Sequence, residues 1–255
     1  MARMTPENSY GLPKPDDRTV DVWVIPVRAS EAVVSKFKAV LSQDELARAT
    51  RLRFEHLRRS FIVAHGTQRV LLSRYLKVAP AEIQFTYSAK GKPNISGTSN
   101  IRFNLSHSGD FVLLAVTLNC DVGVDLEQMR PLPDLANIAD RYFSREETSE
   151  LMSLPPEQHE RAFFACWTRK EAYIKAVGEG LSTPLDSFHV TLLPDAPARM
   201  IHLGGGTGAA EAWNIVNIDL GHPQYMAALA YHEAPRPLHV IRVSDAGDLL
   251  EGEAG

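Results

Sequence analysis

The chain carries a helix-opening signature twice, as Ser42-Gln43-Asp44-Glu45 and again as Ser144-Arg145-Glu146-Glu147. In each, the serine hydroxyl and the glutamate three residues on can satisfy two of the backbone N–H groups that the start of a helix leaves unpaired. Each opens a short helix, and a longer one is expected after it, over residues 57–76 in the first half and 160–177 in the second. Strands then close each half. Asn104-Leu105-Ser106 turns through residues 107–110 into an apolar run over 111–116, and residues 213–218 turn through 221–223 into 225–229. The pattern describes an α+β chain in which one unit is used twice, although by periodicity alone the likeness can equally be accidental. With the division near residue 120, the units are an N-terminal subdomain, 19–120, and a C-terminal subdomain, 121–235. The flanks, 1–18 and 236–255, are rich in Pro, Gly and acids and are expected to be poorly ordered.

The C-terminal unit opens on Val122-Gly123-Val124-Asp125-Leu126-Glu127. As a strand this puts three aliphatics on one face and both acids on the other. Two carboxylates side by side repel unless a cation lies between them, and a hard divalent ion held by oxygens removes that penalty. An exposed strand with two acids on its polar face is the plainer alternative. The long helix of this unit carries Trp167-Thr168-Arg169-Lys170-Glu171-Ala172-Tyr173-Ile174-Lys175. Phe163, Phe164, Trp167, Ile174 and Val177 fall on one stripe, and Glu171 lies inside that apolar sector, where a carboxylate needs a partner. An ion pair with Lys175 at i+4 would supply one. It leaves unexplained why Lys170 also points into the apolar sector. Gly178 is placed to cap the helix and turn the chain.

Together these segments offer three carboxylates, Asp125, Glu127 and Glu171, and two lysines, a set suited to Mg²⁺-dependent chemistry on a phosphate ester. Composition agrees with a compact enzyme. The chain has 255 residues, 44% of them hydrophobic, and a formal net charge of −4, which argues against a nucleic-acid binder. No tract resembles a membrane span or a signal peptide, so a cytoplasmic protein is expected. Cys120 and Cys166 read as two reduced, half-buried thiols.

The G-x-D-x-E strand followed by W-x-x-K-E-A-x-x-K-x-x-G resembles the paired signature of the 4′-phosphopantetheinyl transferases, in particular the larger single-chain surfactin-synthetase-activating type. Further matches lie in order: Gly91-Lys92-Pro93, Phe103 to Gly109, Arg141 to Ser144 with Glu147, and Gly180-Leu181-Ser182 with Leu185 to Phe188. The resemblance runs from about Ser42 to Tyr231 and implies a pseudo-dimer of two similar α/β subdomains with the active site between them. It also implies the reaction. The phosphopantetheine group of coenzyme A is transferred to a serine of an apo acyl or peptidyl carrier protein, releasing 3′,5′-ADP, with Mg²⁺ on Asp125, Glu127 and Glu171. Glu171 and Lys175 would be catalytic.

The coenzyme would contact Lys92, Pro93, Ser106, His107, Lys170, Lys175 and an upstream arginine, Arg51 or Arg53, the match there being loose. Read bottom-up, Lys92 is a solvated turn lysine, His107 surface decoration, and the run Arg48, Arg51, Arg53, Arg58, Arg59 a solvated helix face. The resemblance reverses the first two readings. Residues 204–208 read as a flexible connection. Two other functions remain open, a coenzyme A or carrier-binding module without turnover and a Mg²⁺-dependent hydrolase of the coenzyme A pyrophosphate. A chain that contains its own duplicate is expected to be a monomer.

Overall fold

The structure is a computed structural model that describes residues 17–180, 183–204 and 207–251. The N-terminal unit holds β1 (Val20–Pro26), α1 (Glu31–Ala39), α2 (Gln43–Arg51), α3 (Glu55–Leu76), β2 (Phe85–Tyr87), β3 (Pro93–Ile95), β4 (Ile101–Ser108) and β5 (Phe111–Leu118). There follow β6 (Val122–Gln128), α4 (Leu135–Tyr142), α5 (Arg145–Ser153), α6 (Pro156–Val177), β7 (His189–Val190), β8 (Met200–His202), α7 (Thr207–Glu211), β9 (Trp213–Asn217), β10 (Tyr225–His232) and β11 (Leu238–Arg242).

Two sheets form the centre, ordered β11-β1-β5-β4 and β6-β10-β9. Their strands alternate between two apolar faces. Val22, Val24, Leu113 and Ala115 share one cluster with Val122, Val124, Leu126, Ala227 and Leu229, so the inner faces of the two sheets are packed together. On the outer face of the first sheet, Trp23, Ile25, Leu114 and Val116 pack with Phe37, Val63 and Leu71 of α1 and α3. On that of the second, Ala228 and Ala230 pack with Phe163, Ala172 and Ile174 of α6.

The duplication extends to side chains. Both capping boxes form, at Ser42/Glu45 and Ser144/Glu147. Each cap glutamate also receives a buried cation from the long helix of its half: Arg69 Nε meets Glu45 Oε2 at 2.7 Å, and Lys170 Nζ meets Glu147 Oε2 at 2.7 Å. Each cation donates further to two carbonyls in the segment after its helix, Pro80 and Ile83 for Arg69, Leu185 and Phe188 for Lys170. A pseudo-dimer of two like units is therefore present in packing as well as in element order.

Four expectations change. Both long helices begin earlier than the apolar stripe suggests, at Glu55 and Pro156. His107 lies within β4 and not in a turn. The C-terminal segment, expected to be poorly ordered, supplies β11, which pairs parallel with β1 in register Asp21↔His239, and His239 Nδ1 lies 3.2 Å from Asp21 Oδ1. Residues 1–16, 181–182, 205–206 and 252–255, which include most of the N-terminal flank and parts of two motifs, lie outside the described residues. Both cysteines are free, and both are buried outright where half-burial was expected. Among the described residues no helix is long and apolar enough to cross a membrane.

Candidate active site

Helix α6 can lie directly on β6 because the strand has no side chain at the crossing. A Cβ built on Gly123 would sit 2.0 Å from Ala172 O and 2.3 Å from Ala176 N, so only glycine admits the helix backbone. The neighbouring strand helps, since Gly123 and Asp125 pair with Ala230 and Ala228 of β10. This approach brings Glu171 and Lys175, one turn apart on α6, to the outward face of β6, which holds Asp125 and Glu127.

Lys175 does not close the intrahelical pair with Glu171. Its ammonium crosses to Asp125 Oδ1 at 2.6 Å and donates to Ser106 Oγ at 3.1 Å. The second oxygen of Asp125, Oδ2, is buried without a partner. Burial raises the pKa of Glu171, and repulsion from Asp125 and Glu127 adds to the rise against the pull of Lys175. Glu127 is raised likewise, first by burial and then by Asp125, while its bond from Ser108 opposes the shift. The three carboxylates therefore act on one another, with Lys175 among them and Arg130 also pulling on Glu127. Among the described residues no group of three His, Cys, Asp or Glu side chains is arranged so that it could hold a metal ion, so closing the acids on one requires their side chains to turn. Their donor chemistry fits a hard divalent cation, and an orphaned buried carboxylate oxygen is the kind of atom such an ion would satisfy.

The two halves meet here through side chains instead of a backbone ladder. Along one face of β4, Asn104 Oδ1 accepts from Val124 N (2.8 Å), Ser106 Oγ from Leu126 N (3.2 Å) and Ser108 Oγ from Gln128 N (3.0 Å). With a lone pair of each serine occupied, each hydroxyl proton goes to an acid, Ser106 to Asp125 Oδ1 at 3.2 Å and Ser108 to Glu127 Oε2 at 3.1 Å. Ser106 thus touches Asp125 and Lys175 together. Ser108 escaped the sequence reading, although it stands two residues from Ser106 on the same strand face. The protein packed round His107 lowers its pKa, with the charge of Lys175 second.

The other expected contacts separate into three groups. Lys170 is not at the site. Its side chain is 0% exposed, it is paired with Glu147, and its three donors are used by that acid and by Leu185 O and Phe188 O. Lys92 has its ammonium on Ala176 O (2.7 Å) and Val122 O (3.3 Å), so it is not directed at an incoming phosphate, and burial lowers its pKa. Pro93 does line a cavity of the first half, with Arg48, His65, Gln68, Tyr87 and Asn104. Among the upstream arginines Arg48 lines that cavity, while Arg51 and Arg53 lie exposed outside its lining. Arg58 and Arg59 are engaged with Glu55 and Glu31. His65, facing the cavity, is lowered to a pKa of about 3 by burial and by Arg48, so it is a neutral imidazole.

A sequence model of the 4′-phosphopantetheinyl transferase superfamily matches residues 121–230, and one for the N-terminal region of 4′-phosphopantetheinyl transferases matches residues 28–119. The chain is 39% identical to the 4′-phosphopantetheinyl transferase HetI of Nostoc sp., over 81% of this chain and 87% of that one. It is 36% identical to the 4′-phosphopantetheinyl transferase psf-1 of Bacillus pumilus, over 66% and 70% of the two chains. It is 31% identical to the 4′-phosphopantetheinyl transferase Sfp of Bacillus subtilis, over 63% and 70%. Since both halves match and the likeness to HetI spans most of either chain, this chain belongs to the 4′-phosphopantetheinyl transferase superfamily, and it transfers phosphopantetheine to carrier proteins.

Proposed function

We propose that Asp125, Glu127, Glu171 and Lys175 carry the transfer, with coenzyme A as donor and a carrier-protein serine as acceptor. The observation that bears most weight is the gathering of three mutually repelling carboxylates and one lysine where α6 crosses β6, with Asp125 Oδ2 buried and unpaired. Asp125, Glu127 and Glu171 would hold Mg²⁺, which when bound neutralises pyrophosphate charge. Glu171, whose basicity is raised by burial, takes the serine proton directly or through a water as the serine oxygen bonds to the pantetheine-side phosphorus. The bond from that phosphorus to the oxygen of 3′,5′-ADP breaks, and Lys175 steadies or protonates the departing phosphate. For this it must release Asp125 or share its donors, of which an ammonium has three.

The cavity with Arg48, Tyr87 and Pro93 accepts the nucleotide end. His107, kept neutral by its packing, gains a proton when a phosphate dianion reaches it. Both halves lie in one chain, and likeness to Sfp supports the surfactin-synthetase-activating type, serving polyketide, nonribosomal peptide or fatty-acid synthesis. We expect a cytoplasmic monomer, and a light-scattering mass of two or three chains would overturn the second part of that expectation.

The test is the intact mass of an apo carrier protein after incubation with the enzyme, coenzyme A and Mg²⁺, with EDTA and Glu171→Ala as controls. A phosphopantetheinyl mass gain lost in both controls is the expected outcome. A gain that survives both removes the assigned metal site and base. Release of 3′,5′-ADP without any carrier would favour hydrolysis.

A further inference from the structure

Lys92 belongs to the first half, yet its ammonium lies at the junction of the two elements that build the site in the second. Ala176 O, its 2.7 Å partner, is among the last carbonyls of α6, which have no amide one turn on to satisfy them. A cation there also meets the negative end of the helix dipole. Val122 O, the 3.3 Å partner, is at the first residue of β6. The stem is confined as well, because a Cβ on the cap residue Gly178, whose φ is 79°, would come within 2.9 Å of Lys92 Cδ. The backbone of Lys92 is tied at its base, its N donating to Ser88 Oγ (3.1 Å) and its O accepting from Ser88 N (2.9 Å).

One side chain therefore pins the end of α6 to the beginning of β6. Lys175 immediately precedes Ala176, and Asp125 stands three residues beyond Val122. We propose that Lys92 is a positioning residue, whose ammonium fixes the approach of the Glu171–Lys175 turn to Asp125 and Glu127 and does not contact the coenzyme. The inference rests on the reading of those four residues as the catalytic set.

Lys92→Met keeps the stem and removes the charge. The enzyme and this variant are compared for transfer from coenzyme A and from 3′-dephospho-coenzyme A, and for hydrogen exchange in the last turn of α6. The expected result is a fall of about tenfold in kcat, the scale of one charged hydrogen bond. KM for coenzyme A stays within about twofold, the preference between the two donors is unchanged, and the amides of residues 174–178 exchange faster. A rise in KM confined to coenzyme A would make Lys92 a phosphate contact and overturn the proposal. So would unchanged kcat and exchange. If Lys92→Met does not fold, Gly178→Ala disturbs the same contact from the helix side and must give the same division between kcat and KM. Were Glu171→Gln and Lys175→Met to leave transfer intact, the catalytic assignment would fall, while the exchange rates would still decide whether Lys92 clamps the helix.

Discussion

Lys170 and Glu171 are adjacent in sequence and face opposite demands. Lys170 ends in a sealed ion pair with Glu147, both side chains 0% exposed, and Glu147 also takes the amides of Ser144 and Val190. Lys170→Met would leave that glutamate charged and uncompensated, at a cost of about 3–5 kcal/mol in urea unfolding, with KM for coenzyme A unmoved in whatever fraction folds. A raised KM at full stability would return Lys170 to the coenzyme. Glu171 is the reverse case. Its folded pKa is raised, so between the ordinary carboxylate range and the raised value the folded state holds more protons than the unfolded one, and stability falls as pH rises through that window. Glu171→Gln removes this burden. In metal-free protein at pH 8 it should raise Tm by about 2–4 °C, and it should cut transfer by about 10²–10⁴-fold. A lower Tm would show that Glu171 is held by contacts worth more than its burial costs. That Glu171 needs a partner was legible from its place in the apolar stripe. Which of the two lysines reaches Asp125 was not, because Glu147, the partner of Lys170, stands far away in the chain and no local spacing reports it.

Among the elements, β6 was legible in full, its alternation giving both the aliphatic face and the acidic one. The glycine in its motif gains its meaning only from α6. Gly123→Ala would force a Cβ to within 2.0 Å of a backbone oxygen, an atom that cannot rotate away, so the helix itself must shift. Overpacking of this kind costs about 1–3 kcal/mol. Transfer should suffer by more than stability does, since the shift opens the distance between Lys175 and Asp125, and the two are compared by thermal unfolding and carrier loading of Gly123→Ala. Loss of stability with wild-type turnover would mean that the site tolerates a displaced helix. The face of β4 facing this strand was less legible. Ser106 reads as a strand end and residues 107–110 as a turn, whereas β4 runs on to Ser108, and Asn104, Ser106 and Ser108 act as a substitute hydrogen-bond ladder for β6. β11 was missed because the Pro- and acid-rich residues around Leu238–Arg242 outweigh a five-residue run of edge strand, and parallel pairing with distant β1 leaves no mark in local sequence.

For the whole molecule the duplicated plan raises the question whether the halves are separate folding units. Each has its own helix-covered core, and each has its own buried cation on a cap glutamate. Against independence stands the cluster between the sheets, in which Val22, Val24 and Leu113 of the first half meet Val122, Val124, Leu126 and Leu229 of the second. At about 1.5–3 kcal/mol for each such side chain, uncovering that cluster would cost about 10–20 kcal/mol as an upper estimate, comparable to the whole stability of an ordinary domain, about 5–15 kcal/mol. Neither half should then survive the unfolding of the other. The three tryptophans provide the probes: Trp23 is buried in the first core, whereas Trp167 and Trp213 belong to the second. A variant with both second-half tryptophans replaced by phenylalanine reports the first half alone, and Trp23→Phe reports the second. Their urea transitions, each corrected for the stability of its own variant by circular dichroism, should coincide with the loss of secondary structure. Two separated midpoints would mean that the sheet interface is weaker than its burial implies, and that the cleft can open by parting the halves while both remain folded.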